Sequence, residues 1–550
     1  MGSDRGDRTE EGRRALEEAR WAAAREAFES ILGEEETPEA LDGLGLALWF
    51  LGEVNEGLAA RERAVEGYAH TDRCDEAARL AVWVSHQHSI AGRASAARGW
   101  LARAERAVDR AGLCAGQGWV AAERARQAET VEESAEHARR ALEIARQTDA
   151  DDLEVFAVSV LGRAEVSAGR IDEGMRLLEE AMAAASAGRV RNVHTLAEAY
   201  CNLIAACTSA GDWERATEWC ELVDEFAREH ETAPLYGSCR TIHADVLLAT
   251  GRWDDAERAL QSALDVHARY VPQLAAPTIA AMAELRVRQN RLSEAELLLV
   301  GREEHPESLR ALAHLRLAQG RPAVAAALLE RGLLGAEGDA LKTAQLLAAL
   351  VDARIAEGEI GAAEAASRRL TELADESGIP VVAARARLAA ARAHGAAERP
   401  DAAAEAARGA LADFGSMTMP YETAQARLEL ARALAQESPD LAVEEARSAY
   451  ASFRELGASR ARDETAALLR SLGAPTGGLP RGVGELTARE NEVLGLLGLG
   501  MSNAQIAETL VISEKTAGHH VSRILAKLGV RNRAEAAAVA ARSESAATSR

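Results

Sequence analysis

Two segments, GDWERA at residues 211–216 and GRWDDA at residues 251–256, share one pattern and start 40 positions apart. Each begins with glycine, carries tryptophan two positions later and ends on alanine five positions after the glycine. The same spacing recurs along the chain, and a period of about 40 residues predicts a helical repeat array. Its copies start at Ala19, Gly52, Gly92, Glu129, Gly169, Gly211, Gly251, Asn290, Gly320, Gly358, Glu398 and Glu437.

Each copy is interpreted as the turn of an antiparallel helix pair, in which helix A leads into the turn and helix B leaves it. The first residue ends helix A, because glycine adopts the left-handed backbone conformation readily. The small residue five positions later lets helix B lie close to helix A. A larger apolar residue two positions after the turn, such as Ile171 or Trp213, fills the inside of the pair.

The array resembles tetratricopeptide (TPR) repeats, in the longer-period form of large MalT-type regulators. The resemblance implies an all-α fold, with a TPR-like α-solenoid of about twelve helix pairs over residues 13–472. Such a solenoid has a concave surface suited to an effector, and a peptide, a protein segment and a small molecule all stay open as that effector.

One step of the repeat is irregular. From Asn290 to Gly320 it measures 30 residues, so we expect a trimmed helix B that ends before His305-Pro306. All eight tryptophans lie before residue 254, which leaves two interpretations. They line a ligand groove in the N-terminal half, or they fill the cores of the helix pairs.

The stretch at residues 486–541 follows a different pattern, that of four short helices. Thr487 caps the first helix, Asn503 opens the second, and Ser513 caps a third helix that ends at Leu528. The second and third helices are joined by so short a turn that they form a helix-turn-helix. The residues predicted to be buried in the first two helices are Val493, Leu494, Leu497, Ile506, Ala507 and Leu510.

The third helix has two unlike faces. Its only acidic residue is Glu514, in the first turn, where the helix dipole favours negative charge. An outer face of cations and short side chains suits the DNA major groove, and the alternative is a solvated surface helix with a cationic bias. The inner face carries Ala517, Val521, Ile524, Leu525 and Leu528, and the outer face carries Lys515, His519, Ser522, Arg523 and Ala526.

Three blocks, at residues 486–494, 500–507 and 513–534, resemble the LuxR/GerE-type DNA-binding domain. The resemblance implies a bacterial sequence-specific transcriptional regulator, with a DNA-binding domain at residues 486–542 whose third helix enters the major groove of double-stranded DNA. Ala517-Gly518 stands where the family usually has Val-Lys, so one usual basic contact is missing. The DNA-binding residues that it implies are Asn503, Lys515, Thr516, Gly518, His519, Ser522, Arg523 and Lys527.

The fourth helix, at residues 532–542, is rich in small side chains. In the family it helps to pair protomers, and the residues implied here are Ala534, Ala538 and Val539. Small side chains bury little area, so we expect a weak dimer that forms on DNA and an operator that is an inverted repeat. RNA polymerase is a further candidate partner.

The net charge of −23 is divided unevenly along the chain. Residues 480–550 hold nine Lys/Arg and seven Asp/Glu, a net of +2, so the rest carries −25. An acidic body with a small basic module presents its cations at one end only. The Gly/Pro-rich residues 473–485 predict a linker, and residues 1–12 and 543–550 are predicted to be disordered tails.

The cysteines show neither a CxxC pair nor metal-ligand spacing, so we expect buried thiols in a reducing compartment and no metal. The N-terminus lacks an apolar signal core, and no run of 18 apolar residues occurs. We therefore expect a cytoplasmic protein without a membrane partner. The six cysteines are Cys74, Cys114, Cys201, Cys207, Cys220 and Cys239.

Enzyme signatures are missing from the sequence. There is no G-x-x-x-x-G-K-[ST] for ATP and no arrangement of nucleophile and base, so neither a cofactor nor catalysis is expected. Two function classes stay open. The first is a transcriptional regulator whose solenoid receives a ligand or protein signal. The second is a TPR-like interaction scaffold whose terminal module binds protein, or binds DNA only weakly.

Overall fold

The computed structural model describes residues 2–474, except 110, 129, 188–189, 191, 230–232, 271 and 337, and then residues 493–494, 496–498, 501–510, 517–518 and 521. The chain divides into two compact units, Met1–Leu472 and Gly473–Arg550, which we call the solenoid and the terminal module. Gly473 and Ala474 are described, whereas the rest of the predicted linker and the predicted tail at residues 543–550 lie outside the described residues.

The described part of the solenoid consists of helices in two layers. The odd-numbered helices pack on one another as well as on their even-numbered neighbours, so they form an inner layer of A helices. The inner helices are α1 (Gly2–Glu17), α3 (Pro38–Phe50), α5 (Cys74–Ile90), α7 (Ala115–Gln127), α9 (Asp151–Ser167), α11 (Val193–Ala210), α13 (Ala233–Ala249), α15 (Ala275–Arg288), α17 (Leu309–Ala318), α19 (Ala340–Glu357), α21 (Pro380–Ala396), α23 (Pro420–Leu434) and α25 (Ser459–Ser471).

The outer layer holds the B helices, one for each inner helix except α25. They are α2 (Trp21–Leu32), α4 (Val54–His70), α6 (Ala94–Val108), α8 (Val131–Gln147), α10 (Ile171–Ser186), α12 (Trp213–Glu229), α14 (Trp253–Tyr270), α16 (Leu292–Leu299), α18 (Pro322–Leu334), α20 (Ile360–Ser377), α22 (Pro400–Ser416) and α24 (Pro439–Glu455). The predicted TPR-like solenoid of about twelve pairs is confirmed. Among the described helices, none is both long and apolar enough to cross a membrane.

The predicted turns lie where the spacing places them. Ten of the twelve starting residues have a positive φ, which the sharp reversal from helix A to helix B requires. Glu129 lies outside the described residues, and Glu437 does not take the left-handed conformation. The ten residues are Ala19, Gly52, Gly92, Gly169, Gly211, Gly251, Asn290, Gly320, Gly358 and Glu398.

The small residue five positions after each turn is the point of closest approach between helices A and B. Ala216 and Ala256 are completely buried there. In the pair α9–α10 the residue is Gly174, and a Cβ at this position would lie 2.5 Å from the Gly162 carbonyl oxygen. Real Cβ atoms do not come that close, so the spacing of this pair depends on glycine.

The irregular step of the repeat is confirmed as a shortened pair. Helix α16 has eight residues and ends at Leu299, before His305-Pro306. Pro306–Ser308 then form a short 3-10 helix that leads into α17, and Pro272–Leu274 form another one before α15.

The solenoid is wound so tightly that turns of the array contact pairs about five positions further along. Gly169 lies against the Ser377 carbonyl, and Gly251 lies against Pro420. The rings of Trp253 and Tyr421 have centroids 5.3 Å apart. Pairs that are far apart in the chain are therefore packed against each other.

Residues 2–12 differ from the prediction, because they form the first part of α1 instead of a disordered tail. The Arg8 guanidinium lies 2.9 Å from Glu34 and donates a hydrogen bond to Ser30 at 3.0 Å. Gly12 lies directly over the Phe28 ring. The segment is polar in sequence but helical, because the outer helix of the same pair holds it in place.

Candidate functional site

The predicted apolar faces of the first three helices of the terminal module meet in one cluster. This packing is what a helix-turn-helix requires, because each helix has only one apolar face to bury. The predicted burial is confirmed for the described positions. The cluster consists of Val493, Leu494, Leu497, Ile506, Ala507, Ala517 and Val521, with Leu510 packed against it.

The second helix of the module, α26 (Asn503–Leu510), begins with a reciprocal cap. The Ser502 N–H donates to Gln505 Oε1 at 2.8 Å, and the Gln505 N–H donates to Ser502 Oγ at 3.3 Å. The helix start at Asn503 was predicted from the sequence, whereas this cap was not, although S-x-x-Q is its signature. The cap fixes the residue at which α26 begins.

Two of the predicted DNA-binding residues, Asn503 and Gly518, are described, and they are neighbours. Gly518 is half-buried, and a Cβ at this position would lie 3.5 Å from Asn503 Nδ2, an ordinary van der Waals distance. The third helix therefore passes close to the start of α26 at these two residues.

The other predicted site residues lie outside the described residues and stay predictions. For DNA binding they are Lys515, Thr516, His519, Ser522, Arg523 and Lys527, and for dimerisation they are Ala534, Ala538 and Val539.

The inner layer of the solenoid contains a cluster of charged groups and imidazoles, which we call the inner cluster. Arg126 on α7 donates two hydrogen bonds to the Glu198 carboxylate on α11, at 2.8 and 2.9 Å, and its Nε lies 2.9 Å from Glu123. His86 on α5 and His194 on α11 each place a ring nitrogen 3.5 Å from the same carboxylate. One carboxylate is therefore shared by side chains from three inner helices.

Burial and charge shift the titration of the inner cluster. Burial lowers the pKa of His86 to about 3, with Arg126 contributing and Glu198 opposing. Burial also lowers the pKa of His194. For Glu198, burial alone would raise the pKa, but the charges of Arg126, His194 and His86 together lower it to about 2. At neutral pH the cluster is an arginine–carboxylate pair flanked by neutral imidazoles.

A cavity of about 680 Å³ lies at the N-terminal end of the solenoid. Trp21, Phe50 and Trp119 contribute aromatic walls. Arg61 and Arg79 also line it. The volume is in the range of small-molecule sites. Many of the lining residues are charged, with both signs present, so the cavity suits a polar ligand that also has an apolar part.

The sequence left open whether the tryptophans line a ligand groove or fill the cores of the helix pairs, and the structure shows examples of both. Trp213 and Trp253 are buried at the starts of α12 and α14, where they fill the cores of their pairs. Trp49 is also buried in the core. Trp21 is buried in the same way at the start of α2, and it also lines the cavity. Trp119 is half-buried and lines the cavity as well, so an aromatic-walled space does exist in the N-terminal half.

Comparison with known proteins identifies the terminal module. Residues 484–540 match the family described as bacterial regulatory proteins, luxR family. The spore germination protein GerE of Bacillus subtilis (strain 168) is 47% identical over 51 residues, which cover 9% of this chain and 69% of GerE. The chain belongs to the luxR family of bacterial regulatory proteins.

A second relative of this luxR-family protein is the DNA-binding transcriptional activator DevR/DosR of Mycobacterium tuberculosis (strain ATCC 25618 / H37Rv). It is 49% identical over 55 residues, which cover 10% of this chain and 25% of the relative. The chain thus spans about a quarter of that relative's length, and the likeness concerns the terminal module. This module is a LuxR-type DNA-binding domain of the helix-turn-helix class.

The solenoid of the luxR-family chain has a match of its own, because residues 118–308 match a MalT-like TPR region. Among solved structures, the crystal structure of the APC/C hetero-tetramer Cut9-Hcn1 is similar with a TM-score of 0.44 and 13% identity, covering 83% of this chain and 95% of that one. The matched families are a regulator family and a repeat family, and neither is a family of enzymes.

Proposed function

We propose that this protein is a sequence-specific DNA-binding transcriptional regulator whose solenoid receives a ligand or protein signal. One observation supports the proposal above the others. The described core of the terminal module packs three predicted helices together at residues that match the luxR family. A helix-turn-helix packed in this way leaves the outer face of its third helix for DNA.

On DNA, the residues of the third helix have distinct proposed roles. Lys515 and Thr516 bind phosphates, and Arg523 adds a cation to the same face. Gly518, His519 and Ser522 face base edges in the major groove. Asn503 and Lys527 lie beside this surface and complete the contact.

The protein binds as a dimer in this proposal. Ala534, Ala538 and Val539 on the fourth helix form a small, weak contact that DNA strengthens, so the operator is an inverted repeat. Val539→Glu should convert the footprint from two half-sites to one, and an unchanged two-site footprint would contradict the pairing. RNA polymerase is the proposed partner of the bound dimer, and the cytoplasm its place of action.

The effector is proposed to enter the cavity at the N-terminal end of the solenoid. Support comes from its volume and its aromatic walls, Trp21 and Trp119 among them. A thermal-shift screen of small molecules against the full chain tests this, because a ligand stabilises the state that it binds. A compound that stabilises the wild-type protein should no longer stabilise Trp119→Ala. It should still stabilise Trp100→Ala, because Trp100 is half-buried and does not line the cavity.

We further propose that the acidic solenoid restrains the basic module until the effector binds. The charge division, −25 against +2, supports an electrostatic restraint. Such a switch needs only a few kcal/mol of difference between two states. The restraint can also be steric, if the array holds two DNA-binding domains too far apart for one operator.

Genome-wide capture of DNA by the full-length protein tests the main proposal. We expect enrichment of one inverted-repeat motif, and loss of that enrichment in the double variant Lys515→Ala/Arg523→Ala. On the recovered operator, each lost phosphate contact should reduce the log–log salt slope by about 0.9. Lys342→Ala is the matched control, since this lysine pairs with Glu307 in the solenoid. Capture without sequence preference would favour the scaffold instead.

A further inference from the structure

The cysteines of the solenoid are not evenly placed. Cys201 on α11 and Cys239 on α13 lie on consecutive inner helices with their sulfur atoms 3.8 Å apart. All six thiols are free. Among the described residues, this is the cysteine pair for which a direct S–H···S contact is found.

We propose that Cys201 and Cys239 are a modification site, at which a peroxide or a low-molecular-weight disulfide converts the two thiols into a disulfide that joins α11 to α13. This inference does not depend on DNA binding. It assigns the solenoid a response to oxidants in addition to the effector response proposed above.

Access and geometry distinguish this pair from the other cysteines. Cys201 is half-buried, whereas Cys239 is only 6% exposed, so Cys201 is the more exposed member of the pair. Closing 3.8 Å to a bond length of about 2.05 Å requires less than 2 Å of movement, within the range of side-chain rotation and small helix shifts. The contact therefore places a resolving thiol next to the more exposed one.

Cys207 and Cys220 are close by but poorly suited to react. Both are almost completely buried. Burial raises the pKa of Cys207 to about 12 and also raises the pKa of Cys220. Because the thiolate is the reactive form, burial disfavours reaction at these two sulfurs. The hydrogen bond with Cys201, together with burial, also raises the pKa of Cys239, so Cys239 acts as the resolving thiol and not as the one that meets the oxidant first.

The chemistry balances with hydrogen peroxide as the oxidant. The Cys201 thiolate attacks one peroxide oxygen, the O–O bond breaks, and sulfenic acid and water result once the leaving hydroxide takes up the thiol proton. The Cys239 sulfur then attacks the sulfenic sulfur, its proton passes to the departing hydroxyl, and a second water leaves. Two thiols and one peroxide thus give one disulfide and two waters. A thiol reductant reverses the outcome by exchange.

The bond would fix the relative position of two neighbouring helix pairs. Helix α12 and its turns lie between the two cysteines in the chain, so the disulfide closes a loop that contains one whole outer helix. Transient disulfides of this kind are typical of redox sensing in reducing compartments. The oxidised solenoid should therefore unfold less readily than the reduced one between α11 and α13.

The experiment treats the full-length protein with graded hydrogen peroxide, blocks the remaining thiols with N-ethylmaleimide and maps cross-linked peptides by mass spectrometry. We expect one cross-link, Cys201–Cys239, that appears at the lowest peroxide doses and disappears with dithiothreitol. Amide hydrogen exchange on the same samples should slow in α11 to α13 after oxidation. Cys74→Ser is the matched control and should leave the cross-link intact.

The variants Cys201→Ser and Cys239→Ser should each abolish the cross-link. A cross-link between Cys201 and Cys220, or over-oxidation of Cys201 to sulfinic acid without any cross-link, would overturn the proposal. If a serine variant fails to fold, the untreated and oxidised wild-type samples still test the proposal, because the peptides from these samples show directly which two cysteines are cross-linked.

Discussion

The solenoid and the terminal module are stabilised in different ways. The solenoid brings its helices together at small residues such as Ala216 and Ala256 and repeats this contact pair after pair. The described part of the module instead has one cluster of larger side chains, with Leu497 and Ile506 completely buried. Damage to a repeat array stays near its site, whereas damage to a single small core affects the whole domain.

The inner faces of the two units also differ. The inner layer of the solenoid contains Arg126, Glu198 and their imidazole neighbours, whereas the described core of the module is apolar. Buried charged groups make the solenoid sensitive to pH, because their protonation differs between folded and unfolded states. The module should respond to salt through its DNA contacts, and much less to pH through its core.

The largest expected effect is on stability, and it comes from a change in the core of the terminal module. Leu497→Ala removes a fully buried side chain from the module and should cost about 2–5 kcal/mol, enough to unfold a domain of this size and abolish DNA binding. Calorimetry of the full chain should then lose the transition of the module and keep that of the solenoid. Leu441→Ala, at an exposed leucine of α24, should change neither. Loss of both transitions would show that the units fold as one.

The next effect tests the close approach in the solenoid. Gly174→Ala places a methyl group against the Gly162 carbonyl, so α9 and α10 must separate at a cost of about 1–3 kcal/mol. Gly99→Ala is the matched control, because nothing lies within 4 Å of its Cβ position and alanine favours a helix by about 0.5–1 kcal/mol. Urea midpoints of the two variants should move in opposite directions. Equal shifts would mean that glycine at position 174 is not required for packing.

The third effect concerns pH. The folded pKa of His86, about 3, lies below its unfolded value of 6.5, so its contribution to stability is present above pH 6.5 and lost as the pH falls towards 3. At pH 5 the loss should reach about 2 kcal/mol. In His86→Gln, the free energy of unfolding of the solenoid should therefore fall less between pH 6.5 and pH 5 than it does in the wild type. His137→Gln, at a half-buried histidine of α8 outside the inner cluster, is the control, and an equally reduced fall there would contradict the assignment.

The smallest effect concerns the cap of α26. Ser502→Ala removes the acceptor for the Gln505 N–H and should destabilise the module by about 1 kcal/mol. Thr509→Ala changes an exposed side chain of the same helix, so it should stay within about 0.5 kcal/mol of the wild type. Hydrogen exchange in the first turn of α26 is the measurement. Equal exchange in both variants would show that the cap contributes nothing.

The sequence predicted the local geometry of the solenoid well, because each turn depends on residues that are close in the chain. A glycine or asparagine at the turn and alanine five positions later were enough to place Gly211 and Ala216. The same reasoning predicted the trimmed α16 from the spacing between Asn290 and Gly320. In the module, the helical spacing of Leu497, Ile506 and Ala517 predicted which side chains are buried.

Features that depend on distant residues were not predictable in this way. The polar segment at residues 2–12 is helical because residues of the first outer helix, such as Phe28, hold it in place. The contact of Trp253 with Tyr421 joins pairs that are about five positions apart in the array, and the spacing within a single pair does not predict it. The inner cluster likewise assembles from three helices, and its members were unremarkable as single residues.

We propose above that DNA affinity belongs to the terminal module and that the solenoid restrains it. The most direct test measures, on one operator at one salt concentration, the affinity of residues 473–550 alone and of the full-length protein without effector. If the solenoid restrains the module, the isolated module should bind at least as tightly as the whole protein. Markedly tighter binding by the effector-free whole protein would contradict the restraint and make the solenoid a platform for dimerisation.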